Sequence, residues 1–580
     1  MRVWLLICFF LFSHLALFAY DVVYQGVDDK AMKKAFRSSS SCYSFKDKPL
    51  TSFAQLKRRA QKDQEKFTAL ARFHGHYGAK IRFAIQYTEP PCVTFYIELG
   101  PKYLLRQFSL VATENPEALE GISLEQLKIT LNKPITTQEI IDAEKSLIWL
   151  LKKRGLAACQ VLSKECVADL DTHTLHVRLI IRPGPIIRFG KTNIVGTNRV
   201  LKKTIQRSVS WNTGEIFDPH AIEKTQHKLE KTGLFTSVII AQEDENLEGE
   251  DLPISIQVQE SKHRSIGAGL AYATSFGPGV KAEWENRNLR GQGEKLTFHT
   301  EVWQKYQTVL LSWTKPHFRR TEQDLIWVAE YDKLHTVAFD SRSYNLTGLL
   351  QTRYSQNKEF MKGLRAEWLH STNFEGAHLY HLLKVPLQIK WSNANNLLDP
   401  TSGETINVKI TPTSNFMTPT FFYALHTTSW AHYHSFANNR LTLAAKVTLG
   451  NIMCAARHTI PPPDRFYGGS ENVLRGFKAY TISPLHHKRI PIGGRSLLAG
   501  TLEARFRTMG ELGWVFFYDV GNVYKTNVPQ LTIHQFHSVG TGLRYATPIG
   551  PLRLDIAVPV NRRPNIDPPF QIYFSIGQAF

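Results

Sequence analysis

The feature that most limits what this chain can fold into is a change of period at residue 263. From there to Phe580, apolar and polar side chains alternate. Leu441, Leu443, Ala445, Val447 and Leu449 interleave with Thr442, Ala444, Lys446 and Thr448. Leu552, Leu554, Ile556, Val558 and Val560 interleave with Arg553, Asp555, Ala557 and Pro559. Successive side chains of a strand point to opposite faces, so each such segment has one apolar and one polar face. Runs of ~9–11 such residues suit tilted strands that meet lipid on one side and a polar lumen on the other. A soluble sandwich would alternate too, but residues 263–580 would make a very large soluble sheet. At ~20 residues per strand and turn, the region predicts roughly 16 antiparallel strands closed into a transmembrane barrel.

No helical route into a membrane competes. After Tyr20 no run reaches the roughly 18 apolar residues of a spanning helix, and mean hydropathy is −0.24. The start reads as an export signal over residues 1–19: Arg2, an apolar core at 5–12, and Ala19 before the cut. Net charge is +20, and residues 263–580 hold 34 Lys+Arg against 21 Asp+Glu, or +13. That excess suits anionic lipid headgroups or an unfolded acidic client. No basic cluster is interleaved with stacking aromatics, so nucleic acid is not an expected partner.

Residues 20–262 repeat. A helix-like stretch, a glycine corner and a strand recur at Gly78, Gly155 and Gly233, spacings that indicate tandem small domains. Ile140, Ala143, Leu147, Leu150 and Leu151 share helical spacing. A glycine suits the left-handed residue that closes such a helix. An alternating strand ends each unit: Val93, Phe95, Ile97 and Leu99; then Leu175, Val177, Leu179 and Ile181; then Ile254, Ile256 and Val258. The expected boundaries are 20–102, 103–184 and 185–262, with the barrel over 263–580. Five cysteines follow the signal, and Cys159 with Cys166 flank what reads as a hairpin, where they either pair or stay free.

One segment carries a resemblance. Phe466-Tyr467-Gly468-Gly469-Ser470-Glu471-Asn472-Val473-Leu474-Arg475-Gly476-Phe477 resembles the signature loop of the outer-membrane insertase superfamily that includes BamA and TamA, with Leu474 where Val is usual. Asp519, in Phe517-Tyr518-Asp519-Val520-Gly521, and Glu503, on the strand before it, match that family's acidic wall positions. Asn288-Leu289-Arg290-Gly291-Gln292-Gly293 is similar to its early hairpin turn. The 540–555 segment is similar to its penultimate hairpin, and the ending through Phe580 to its terminal strand. The resemblance implies three POTRA modules followed by a 16-stranded antiparallel barrel, an α+β then all-β architecture. Three modules place it nearest the TamA type, the translocation and assembly module subunit. It also implies a loop folded into the lumen, with Leu474, Arg475, Gly476 and Phe477 at its tip and Arg475 on Glu503 and Asp519. A guanidinium suits that task because it is always charged and forks onto carboxylates.

The implied activity is insertion or translocation of β-barrel proteins, including autotransporter-type clients, into the outer membrane. Its weak point would be a lateral seam between the first strand (265–274) and the last (571–580). Gly267, Gly269, Gly577 and Phe580 lie there, and glycine removes packing that would hold a strand. The alternative is a dedicated secretion transporter or pore. The expected partners are unfolded outer-membrane clients, the bilayer, and a TamB-type inner-membrane partner. No enzyme motif, catalytic residue, cofactor or metal site is expected. His74 with His76 and His432 with His434 are read as solvated histidines rather than ligands.

Overall fold

The computed structural model describes residues 20–48, 50, 52–242, 251–273, 276–355, 357–437, 439–508, 510–547 and 551–576. The export signal, the 548–550 turn, Gly577 and Phe580 lie outside them. The chain packs as two compact units. One holds residues through 193 with 209–227 and 239–256, and the other holds 194–208, 228–238 and everything from 257.

Three small α+β modules come first. Strands β1 (Asp21–Gln25), β2 (Lys80–Gln86) and β3 (Cys92–Glu98) form a sheet in the order β1-β3-β2, with β1 parallel and β2 antiparallel to β3. Strands β4 (Leu104–Ala112), β5 (Gln160–Asp169) and β6 (Thr174–Arg182) repeat it as β4-β6-β5. Strands β7 (Arg188–Val195), β8 (Phe235–Gln242) and β9 (Asp251–Glu260) repeat it as β7-β9-β8. A parallel pair needs a crossover. Helices supply it: α1 (Lys30–Ser39), α2 (Ser41–Ser44) and α3 (Phe53–Phe73), then α4 (Thr137–Lys153), then α5 (Lys202–Gln206) and α6 (Pro219–Lys231).

Helix α4 shows why the pattern folds this way. Thr136 and Glu139 form a reciprocal capping box at its start. Ile140, Ala143, Leu147 and Leu151 then make one buried stripe against Leu175, Val177, Leu179 and Ile181 of β6. Burying each large side chain contributes roughly 1.5–3 kcal/mol. Gly155 ends the helix at φ +89°, and a Cβ there would meet Ile216 Cγ2 at 2.7 Å. In the first module the closing residue is Gly75, at φ +92°, rather than Gly78. Gly78 instead makes room for the Tyr103 ring, whose hydroxyl would lie 2.9 Å from an added Cβ. The serine-rich segment before α2 is ordered by Asp63 of α3, which accepts from Ser40 Oγ, Ser41 N and Cys42 N at 2.7–2.9 Å.

All five described cysteines are free. Cys159 is buried, with its thiol toward Ile148 O, and Cys166 is exposed on β5. About 3.3 Å per residue along the strand separates them by far more than a disulfide spans.

The barrel sheet runs in sequence order through β10 (Arg264–Ala273), β11 (Gly277–Asn286), β12 (Lys295–Trp303), β13 (Tyr306–Lys315), β14 (Gln323–His335), β15 (Asp340–Ser355) and β16 (Lys358–Asn373). It continues through β17 (Gly376–Lys384), β18 (Leu387–Ser392), β19 (Gly403–Asn415), β20 (Phe421–Phe436), β21 (Leu441–Met453) and β22 (Ser496–Arg507). It ends with β23 (Leu512–Tyr524), β24 (Phe536–Tyr545), β25 (Leu552–Pro559) and β26 (Gln571–Ile576). These 17 segments make 16 passes, because β17 and β18 are halves of one strand. Both pair with β16 and both pair with β19. The break falls at Val385-Pro386, since proline has no N–H for the ladder. Several strands exceed the expected length: β15, β16 and β20 each run 16 residues.

Alternation assigns the faces. Leu554, Ile556 and Val558 of β25 are 40–44% exposed, whereas Arg553 and Asp555 are buried. The apolar face therefore meets lipid and the polar face lines the lumen. Strands β10 and β26 come within 8 Å, Cα to Cα. Among the described residues no hydrogen-bonded register joins them.

Candidate functional site: an arginine held inside the barrel

The connection from β21 to β22, residues 454–495, turns back into the lumen. Its tip is shaped by two residues in the left-handed region, Leu474 at φ +59° and Gly476 at φ +91°. Leucine adopts that conformation only at a cost of roughly 1–2 kcal/mol. Packing offsets it: Leu474 and Phe477 are each 1% exposed, in a cluster with Ile482, Leu497, Ala499 and Val523. Phe477 also meets Phe536 edge-on at 5.5 Å. At Gly476 the wall is close. A Cβ would lie 3.2 Å from Pro559 N and 3.3 Å from Ser538 Cβ.

Between those residues Arg475 is 2% exposed. Its Nε and Nη2 donate to the two oxygens of Asp519, both at 2.8 Å, a bidentate fork. Its Nη1 donates to Glu503 at 2.7 Å and to Asp555 at 3.4 Å. Its backbone N–H also reaches Asp519, at 3.0 Å. The guanidinium lies over the Phe517 ring at 3.5 Å. Sequence reasoning named Glu503 and Asp519, and both are here. It missed Asp555, which also receives Arg544 and Arg553, and it missed Arg505 on Glu503. Four arginines therefore share three carboxylates in a buried site. Leaving any of these buried charges unpaired costs several kcal/mol. The available signal was the Arg553, Asp555 alternation on β25, whose inward face had to carry both. A second missed partner is Tyr573 of β26, whose hydroxyl accepts from Gly476 N–H at 3.0 Å.

The same loop is fastened to a second stretch of wall, on β17 and β20. Asp464 accepts from Lys384 Nζ at 2.8 Å and from the Tyr423 hydroxyl. Lys384 also ion-pairs with Glu367 at 2.8 Å. Arg465 donates to Ile460 O, Ile492 O and Glu375, and Arg457 joins it on Glu375 at 2.8 Å. Pro462-Pro463-Asp464 reads in sequence as a turn and nothing more. Beside this anchor lies a lumen cavity of about 520 Å³, lined in part by Glu330, Asp332, Arg365 and Lys409.

Residues 288–580, half of the chain, match the Omp85 superfamily domain. The chain belongs to the Omp85 superfamily. Residues 187–261 match the POTRA family, described as a surface antigen variable number repeat. Outer membrane protein assembly factor BamA of Nitratidesulfovibrio vulgaris is 22% identical over 559 residues, covering 90% of this chain and 68% of its own. BamA of Neorickettsia risticii is 20% identical over 502 residues, covering 80% and 64%. The chain thus spans about two thirds of the length of these relatives. The crystal structure of Haemophilus ducreyi BamA lacking POTRA domains 1–3 has a TM-score of 0.70 at 18% identity, over 81% of this chain and 99% of that one. This Omp85 protein resides in the outer membrane with its N-terminal modules in the periplasm.

In this Omp85 protein the two described residues predicted for the seam, Gly267 and Gly269, are not among the partners of Arg475, and Gly577 and Phe580 lie outside the described residues. Gly267 and Gly269 are on β10, and a Cβ at either would meet nothing within 4 Å. The early hairpin turn is a docking point instead. Gly291 O accepts from Leu201 N at 2.9 Å and from Thr204 Oγ1 at 3.0 Å. The 198–200 backbone beside it is held by Glu260, which accepts from the amides of Asn198, Arg199 and Val200 at 2.7–2.9 Å. His263 adds a contact to Glu260 at 3.1 Å. Burial disfavours the Glu260 charge, but these donors outweigh it and hold the carboxyl below its ordinary value. Of the four histidines read as solvated, His76 is instead buried, with Nδ1 on Gly100 O, and His432 Nδ1 bonds Glu404.

Proposed function

We propose that this protein assembles other proteins into the outer membrane, taking client strands at the β10–β26 seam. The observation that carries the reading is the bond from Gly476 to Tyr573, beside a first and last strand without a shared ladder among the described residues. A closed barrel has no free edge on which a new strand can form. A parted seam offers unpaired N–H and C=O groups, and an extended client can add there by β-augmentation. The periplasmic sheets offer edges of the same kind. Burial of client strands supplies the free energy, so no nucleotide is required. Similarity to proteins named as outer-membrane assembly factors supports the reading. Autotransporter-type clients and a TamB-type partner belong to the same proposal, as does a TamA-type role.

The test is a seam lock. Cysteine pairs are placed across β10 and the 571–576 segment in a background whose native cysteines are serine, then oxidised. Insertion of a client barrel into vesicles containing the protein should stop on oxidation and return on reduction. Undiminished insertion by the locked barrel refutes the seam. Depleting the protein separates the two functional readings. Loss of several unrelated outer-membrane proteins supports assembly, and loss of one exported protein supports a dedicated transporter.

A further inference from the structure

The lipid-facing wall of β13–β16 is layered by register. Gln307, Lys333, Arg342 and His370 occupy one row across the four strands. Two residues farther along each strand the row becomes Val309, Tyr331, Tyr344 and Trp368, and below it Leu311, Ala329, Leu346 and Ala366. Tyr344 and Trp368 are 60% and 43% exposed on this face. Aromatic rings above an aliphatic band mark the level of the lipid headgroups. The row of cations therefore stands at headgroup height.

The chain enters the barrel at Arg264, at the end that carries the 287–294 turn and its contacts with residues 199–204. That end is periplasmic. The cationic row lies at the other end of the strands, next to the 304–305 and 336–339 turns, and so faces the outer leaflet.

Lys333 and Arg342 sit directly opposite each other in register. Like charges in that position repel and destabilise a sheet. Among the described residues neither has an acidic partner within ion-pair distance. The one nearby carboxylate, Asp340, is taken by His335. These side chains line an open groove of about 510 Å³, to which Lys305 adds a third fixed cation. An anion between Lys333 and Arg342 would remove the repulsion, and guanidinium with ammonium matches a phosphate. The apolar band below would hold the acyl chains of a molecule bearing it.

We propose that the groove on β13–β16 binds the phosphorylated headgroup of an outer-leaflet lipid. Lys333 and Arg342 clasp the phosphate, and Tyr344 and Trp368 flank the upper ends of the acyl chains. This site is separate from the lumen loop and from the seam.

The test titrates the purified full chain in detergent with bis-phosphorylated lipid A, with the dephosphorylated lipid of the same acyl chains, and with excess inorganic phosphate as competitor. Bound lipid is counted by native mass spectrometry. The wild type should prefer the phosphorylated lipid about tenfold. The K333Q/R342Q variant should bind both lipids at the dephosphorylated level. The K315Q/K362Q variant, changed at the periplasmic rim of the same wall, should keep the preference. Equal binding of both lipids by the wild type overturns the proposal, and that arm needs no variant to fold. An undiminished preference in K333Q/R342Q also overturns it. Displacement of the lipid by inorganic phosphate alone reassigns the groove to a free anion and overturns the lipid assignment.

Discussion

Gly476 donates its backbone N–H to the hydroxyl of Tyr573 at 3.0 Å, which ties the tip of the lumen loop to the final strand. Arg475, one residue away, is tied to β22, β23 and β25. One dipeptide therefore fastens four of the last five strands, β22, β23, β25 and β26, from inside.

Tyr573→Phe should separate these roles. The ring stays and only the acceptor goes, leaving a buried N–H unpaired at a cost of ~1–3 kcal/mol. Faster protease cleavage within 454–495 is expected, with the folded barrel still heat-modifiable on gels. Cleavage at the wild-type rate would show that the hydroxyl is idle.

Arg475→Ala should be far more damaging than Arg475→Lys. Alanine strands Glu503, Asp519 and Asp555 with fewer cations, and breaking such a buried set costs ~3–5 kcal/mol. Lysine keeps the charge and loses the fork on Asp519. Urea unfolding in lipid vesicles should order the stabilities as wild type, lysine, alanine. Equal midpoints for all three would contradict the buried network.

The second anchor is tested by a double-mutant cycle. Lys384→Met and Asp464→Asn each break the 2.8 Å pair. Together they should cost less than their sum, with a coupling of ~0.5–3 kcal/mol. Strict additivity would mean that the pair does not hold the loop.

Glu260 gives a pH dependence with a definite sign. Its folded carboxyl titrates below the ordinary value, about 4.3 for glutamate. Its contribution is therefore present above that value and is lost as pH falls through the lower, folded one. Amide exchange at Asn198, Arg199 and Val200 should be slow at neutral pH and speed up beyond the intrinsic trend in acid. Glu260→Gln should remove that extra acceleration.

Much of the architecture was legible because lipid on one side and water on the other impose a period of two. Leu554, Ile556 and Val558 face outward as their spacing predicts, and Arg475 meets Glu503 and Asp519. What escaped was information that alternation does not carry. A period of two says that Arg553 and Asp555 face inward, but not that they share a site with Arg544 and Arg475. Asp464 escaped because a proline-rich turn gives no hint of the lysine 80 residues earlier that it meets. Gly75 was passed over for Gly78 because both follow the same helix, and only the backbone angle distinguishes them.

The interruption at Val385-Pro386 has a mechanical consequence. It divides one pass of the cylinder into two laddered halves, and Lys384 stands on its margin with Asp464 in its grasp. The lumen loop is thus moored at Gly476 to the final strand and at Asp464 to the margin of that interruption. A pull on Tyr573 would be carried along the loop and meet the wall again at Lys384.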